Sequence, residues 1–113
     1  MKKIIFVASP LKGNYCKNIK AAKKYCQYVC EQGHIPYAPH LLFPQFLPEK
    51  KGKNRNIGMK MGLEMLKICD ELWLFGDLLS EGMMIEFRVA KERSMPITRF
   101  NSEYTIFERH NYE

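Results

Sequence analysis

Ser80, Gly82 and Glu86 are spaced so that a ligand could lie on bare backbone and meet a carboxylate. They sit in Asp-Glu-Leu-Trp-Leu-Phe-Gly-Asp-Leu-Leu-Ser-Glu-Gly-Met-Met-Ile-Glu, which runs from Asp70 to Glu86. Leu72 to Phe75 is an unbroken apolar run, the pattern of a strand covered on both faces. Gly76 and Asp77 end it, Ser80 is a good helix N-cap, and Glu81 suits the first helical turn. Gly82 and Glu86, four apart, then share a helix face. A glycine there lets a ligand reach the backbone beside the carboxylate. The competing reading of Glu86 is an exposed helix glutamate paired with Lys91 or Arg93.

Two further stretches could contribute. Ser9-Pro10-Leu11-Lys12-Gly13-Asn14 follows the apolar run Ile4–Val7 and offers hydroxyl, backbone N–H and positive charge to an anion. It has neither P-loop nor dinucleotide spacing, and it serves equally well as a plain turn. His40 follows a short strand and is placed either to touch a ligand or to fill a structural role.

The elements that must hold these residues follow from hydrophobic periodicity. Lys3–Ala8 reads as the first strand. Tyr15–Gln32 reads as a helix with Tyr15, Ile19, Ala22, Cys26, Val29 and Cys30 in a stripe, stopped by Gly33. Ile35–Ala38 is a short strand that Pro36 assigns to a sheet edge or a strand start. Pro39 to Pro48 reads as a loop over the site or against another subunit, and Glu49–Asn56 as a flexible loop able to act as a lid. A second helix is expected over Ile57–Cys69, with its methionines as core filler. A third runs to about Arg93, with Met83, Phe87 and Ala90 on one face. Pro96–Phe100 is a fourth strand, and Thr105–Arg109 a short strand or helix. Alternating strands and helices predict an α/β chain of one domain, residues 1–113: a three-layer Rossmann-like or flavodoxin-like fold with a four- to five-stranded, mainly parallel sheet.

Composition narrows the function classes. No apolar run is long enough to span a bilayer, so no membrane partner is expected, and the N-terminal apolar stretch is too short for a signal peptide; a cytoplasmic chain is the expectation. Cys16, Cys26, Cys30 and Cys69 lack metal-ligand spacing and read as reduced thiols, with no metal and no cofactor expected. Net charge is +6, divided into +10 over residues 1–60 and −4 over 61–113. Lys17, Lys20, Lys23 and Lys24 fall on the polar face of the first helix. A solvated face is the preferred reading over nucleic-acid binding, because no aromatic residues interleave with the basic ones.

The pattern Asp70, Ser80-x-Gly82-x-x-x-Glu86 and Ala90 resembles the nucleoside 2-deoxyribosyltransferase superfamily, which includes the 2′-deoxynucleoside 5′-phosphate N-hydrolases. Element order is similar over nearly the whole chain, most sharply from Cys69 to Ala90. The resemblance implies Glu86 as a nucleophile kept ionised by the helix N-terminus and the N–H groups near Gly82. It attacks the anomeric carbon of a nucleoside or nucleotide, making the chain an N-glycosidic bond hydrolase or deoxyribosyltransferase. Asp77, at the strand end, is the candidate second catalytic carboxylate, with a plain turn residue as its alternative reading; Glu64 is the other nearby acid but points to a different helix face. Ser9, Pro10, Leu11, Gly13, His40, Ser80, Glu81, Gly82 and Met83 are the candidate substrate contacts. It also implies a homodimer or larger assembly, for which the apolar Leu41–Leu47 segment is suited. Two positions depart from the pattern. Gly62 stands where the family carries an acid, and Arg88 where it carries a small residue. The alternative function is therefore a catalytically inactive nucleotide-binding module of the same fold.

Overall fold

Five strands and four α-helices follow one another in the order β-α-β-α-α-β-α-β-β in a computed structural model that describes residues 2–47 and 52–110. The strands are β1 (Ile4–Ala8), β2 (Ile35–Tyr37), β3 (Glu71–Phe75), β4 (Ile97–Phe100) and β5 (Ile106–His110). The helices are α1 (Tyr15–Glu31), α2 (Pro39–Leu42), α3 (Gly52–Leu66) and α4 (Glu81–Glu92). The sheet order is β2-β1-β3-β4-β5, parallel throughout except for β5, which pairs antiparallel with β4. This is the Rossmann-like layer structure expected from the apolar runs, with β2 at an edge where Pro36 costs no ladder bond. The chain end at Thr105–Arg109 resolves to a strand.

Strand alternation divides the core in two. Ile5, Val7, Trp73, Phe75 and Phe100 face α1 and pack with Val29, Tyr25 and Tyr28. Phe6, Ala8, Leu72, Leu74 and Ile97 face the other way, against Leu66 of α3 and Met83 and Ala90 of α4. The α1 layer is aromatic. Tyr25 stacks on Phe75 at 4.6 Å between ring centroids, and Phe75 on Phe100 at 4.9 Å. Tyr15 and Cys30, expected in the α1 stripe, lie exposed at its ends, while Tyr25 and Tyr28 take the packing role. Lys17, Lys20, Lys23 and Lys24 are exposed.

Two stretches differ from the sequence expectation. Pro39–Gln45 is not a loop: it forms α2 and then a 3-10 turn over Phe43–Gln45, with prolines at the first positions of both. Proline breaks a helix interior but suits a helix start, where its missing N–H has no partner to lose. Helix α3 begins at Gly52 rather than Ile57 and ends at Leu66 rather than Cys69. Glycine and asparagine in a first turn cost little, because those N–H groups lack intrahelical partners anyway. The lid expected over Glu49–Asn56 therefore divides. Residues 49–51 lie outside the described residues, and 52–56 are helical.

The amino end of β3 is pinned by charge. Asp70 Oδ2 accepts the Ile4 N–H at 2.7 Å, and Glu71 accepts from Lys3 Nζ at 2.7 Å and from Trp73 Nε1 at 3.0 Å. Asp70 is thus a structural residue, at the opposite end of the strand from Ser80. All four cysteines are free thiols: Cys16 and Cys30 exposed, Cys26 half-buried, Cys69 buried. The described residues hold no helix long and apolar enough to cross a membrane.

A candidate active-site cleft at the carboxyl ends of β1, β2 and β3

The loops leaving β1, β2 and β3 converge on one cleft of about 300 Å³, closed by α2, α3 and the start of α4. It lies where the strand order switches direction, between β1 and β3, the place where open α/β sheets hold ligands. Its lining includes Leu11 and Lys12 after β1, His40 and Phe43 after β2, Met59 and Gly62 on α3, and Ser80, Glu81, Gly82 and Glu86 on α4.

Helix α4 starts as its sequence dictates. Ser80 is extended and its Oγ accepts the Met83 N–H at 3.2 Å, with Glu81 in the first turn. That cap fixes the helix rotation. Met83 and Ala90 turn toward the sheet, and Gly82 and Glu86 toward the cleft. A Cβ on Gly82 would lie 3.0 Å from Met59 Cε, so a side chain there would displace the methionine from the cleft wall. Gly58 and Gly62, one turn apart, leave the α3 wall bare as well. Their added Cβ atoms would lie 3.8 Å from Phe43 Cβ and Pro39 Cβ.

Glu86 is only 4% exposed, and no side-chain hydrogen bond or ion pair reaches it among the described residues. Burial pushes its carboxyl up to about 8. The expectation that the helix N-terminus keeps Glu86 ionised is overturned. The residue sits in the second turn, beyond the reach of the helix dipole, and desolvation prevails. His40 is lowered from its ordinary value by burial, against which a hydrogen bond to the Ser9 backbone acts. Tyr37, on β2, is pushed up to about 12, mainly by burial, with Cys69 and Glu86 adding to it.

Of the residues singled out from sequence, Leu11, His40, Ser80, Glu81, Gly82 and Glu86 come together in the cleft. Others are placed elsewhere. Asp77 is exposed, and its carboxylate accepts from Ser102 rather than facing the cleft. Met83 is a core residue at 1% exposure. Ser9 is buried beneath the loop, Pro10 packs near Gly76, and Gly13, at φ +94°, turns the chain into α1. Sequence reasoning missed Gly58, Met59 and Ile85, and had Pro39, Phe43, Pro44 and Asn56 only as parts of segments that could cover the site. The Gly58–Gly62 pair, spaced by one helical turn, was the signal that could have marked α3 as a cleft wall. The described residues hold no cluster of His, Cys, Asp or Glu able to ligate a metal ion.

A family model described as a domain of unknown function, DUF7768, matches residues 3–100. No curated protein matches the sequence. Among solved structures, a 2-deoxyribosyltransferase from Bacillus psychrosaccharolyticus superposes with a TM-score of 0.71 at 21% identity, over 93% of this chain and 77% of that one. The likeness shows a deoxyribosyltransferase-like fold.

Proposed function

The chain belongs to the DUF7768 family, and from that premise we propose that its cleft binds a nucleoside or nucleotide and cleaves the N-glycosidic bond with Glu86 as nucleophile. The observation that carries this reading is a buried carboxyl, unpartnered among the described residues, beside the bare backbone of Gly82 in a cleft of about 300 Å³. That volume suits one small ligand.

In this mechanism the ionised Glu86 attacks C1′ of the sugar. The C1′–N bond breaks, and a glycosyl ester forms. Water, or a second base, then displaces the carboxylate, and two inversions give net retention. Ser80 and Lys12 are positioned to hold sugar hydroxyls or a phosphate, and Phe43 and Met59 supply apolar wall for a base. Assembly into a homodimer or larger oligomer belongs to the same proposal. Leu42 and Phe46 stand 43% and 58% exposed beside the cleft and offer an apolar contact.

The test is to incubate the protein with deoxynucleosides and their 5′-monophosphates and to quantify free base, with Glu86→Gln alongside. Release by the wild type and none by the variant supports the reading. Release from no substrate rejects it.

The binding-only reading is favoured by one observation: Gly62 places no acid on the α3 wall. Nucleotides that raise the thermal midpoint without losing their base would select it.

A further inference from the structure

The cleft is unevenly charged. Its α4 wall carries two carboxyls, Glu81 and Glu86, and the loop after β1 brings one ammonium, Lys12. An anionic group on a ligand is therefore favoured at the β1 loop and disfavoured at the start of α4.

The backbone of that loop is set by one side chain. Asn18, half-buried in the first turn of α1, donates from Nδ2 to Leu11 O at 3.0 Å and to Lys12 O at 2.8 Å. Both partners are acceptors, so the amide nitrogen must face them, and each of its hydrogens satisfies one carbonyl. Asn18 is itself held, because its own N–H donates to Asn14 O at 2.9 Å. A trans peptide points its N–H opposite to its C=O. Turning the Leu11 and Lys12 carbonyls toward α1 thus turns the next two N–H groups, those of Lys12 and Gly13, away from it. Helix α1 covers one face of the sheet, and the α3 and α4 walls of the cleft stand on the other. Neither N–H has a hydrogen-bond partner among the described residues. Lys12 keeps an ordinary negative φ and Gly13 follows at φ +94°, a change of hand that gathers successive N–H groups into a concavity for an anion. Nothing lies within 4 Å of the Cβ that Gly13 lacks, so that side of the loop is open.

We propose that Asn18 is a positioning residue: it presents the Lys12 and Gly13 N–H groups, together with the Lys12 ammonium, to the 5′-phosphate of a nucleotide, and so makes the nucleoside monophosphate, rather than the free nucleoside, the ligand of this cleft. The inference rests on the reading of the cleft as a nucleoside or nucleotide site and does not depend on Glu86 being the nucleophile. Backbone N–H groups and an ammonium meet phosphate oxygens in charge-assisted hydrogen bonds, which are stronger than those a neutral 5′-hydroxyl accepts. Lys12 is exposed, so the phosphate stays at the cleft mouth, where its charge remains partly hydrated. The sugar then extends inward, toward the bare backbone of Gly82.

The test titrates the four 2′-deoxynucleosides, their 5′-monophosphates and inorganic phosphate into the Glu86→Gln protein, so that bound ligand keeps its base. Affinity and backbone amide resonances are followed together. The monophosphates should bind roughly tenfold or more tightly than the nucleosides, the least that one hydrogen bond to a charged group is worth. They should shift the Lys12 and Gly13 amide resonances, and the nucleosides should leave those two in place. Asn18→Leu, added to the same protein, removes both donors without adding charge and keeps a similar side-chain shape. It should reduce the preference for monophosphate by roughly tenfold or more while changing nucleoside affinity by less than about threefold. An asparagine that merely closes the loop would weaken both ligands alike, or neither. Equal affinity for nucleoside and monophosphate, or a smaller loss of preference in Asn18→Leu, overturns the inference and leaves the proposed N-glycosidic chemistry standing. Should Asn18→Leu not fold, the amide resonances decide: monophosphate bound with Lys12 and Gly13 unmoved overturns it. Inorganic phosphate shifting those amides where no nucleotide does so makes the loop a site for free phosphate and likewise overturns the assignment. No binding by any nucleoside or nucleotide rejects the reading of the cleft itself, and this inference with it.

Discussion

Asp77 and Ser102 tie the turn after β3 to the turn after β4. The Ser102 N–H donates to Asp77 Oδ1 at 3.1 Å and its hydroxyl to Oδ2 at 3.2 Å. The link joins two exposed turns and points away from the cleft. Asp77→Ala should leave base release unchanged and lower stability by about 1 kcal/mol, the usual worth of such bonds. Denaturant unfolding and a product assay on the same preparation check both parts. A large loss of turnover with normal stability would return Asp77 to the chemistry.

Glu86 should cost the protein stability at neutral pH. Its folded pKa, about 8, lies above the ordinary 4.5, so the unfolded chain ionises first as pH rises. Stability falls between 4.5 and 8 and changes no further above that. At pH 7 the cost is roughly 3 kcal/mol. Glu86→Gln, which keeps shape without a charge, should abolish base release yet raise the thermal midpoint at pH 7, with little gain at pH 4.5. Melting curves at the two pH values check the sign.

Gly62→Ala should stabilise the fold and impair the cleft. The added methyl finds ordinary van der Waals contact with Pro39 Cβ at 3.8 Å, and alanine within a helix is favoured over glycine by about 1 kcal/mol. The same methyl takes volume from the cleft wall, so nucleotide affinity should fall as the unfolding midpoint rises. Binding that stays unchanged would place the ligand elsewhere.

Ser80→Ala removes the cap of α4 and should cost about 1 kcal/mol. Because that cap fixes the rotation that turns Glu86 inward, the rate of base release should fall as well. Ser80→Asn, which can cap in the same way, should restore stability more fully than Ser80→Ala.

The β5 edge should loosen in acid. Glu108 is lowered from its ordinary value, first by its hydrogen bond with His110 at 2.6 Å and then by Arg99 at 2.9 Å. A depressed carboxylate contributes stability above its unfolded value of 4.5, and that contribution disappears as pH falls through the folded value. Amide exchange along the β4–β5 ladder should accelerate below pH 4.5 in the wild type. In Glu108→Gln it should already be fast at pH 7.

What could be read in advance followed local rules. The apolar runs at Ile4–Val7 and Leu72–Phe75 announced central strands, and Ser80 announced a helix whose rotation carries Gly82 and Glu86 together. The Pro39–Gln45 segment was misread because proline is both a breaker and an initiator of helices, and sequence position alone does not say which. Met83 was assigned to substrate although its spacing from Ala90 put it on the sheet-facing side. The protonation of Glu86 was not legible either. It depends on what surrounds the carboxyl in space, and the cleft it lines is walled by α2, α3 and the β1 loop, far away in sequence.

Trp73, the single tryptophan, is 8% exposed and packs among Tyr28, Phe75 and Phe100 on the α1 side of the sheet, with the cleft on the other. Its emission is therefore a built-in gauge of whether the α1 layer is intact. A nucleotide docking across the sheet leaves that indole's surroundings untouched, so intrinsic fluorescence will follow unfolding faithfully while staying silent on occupancy.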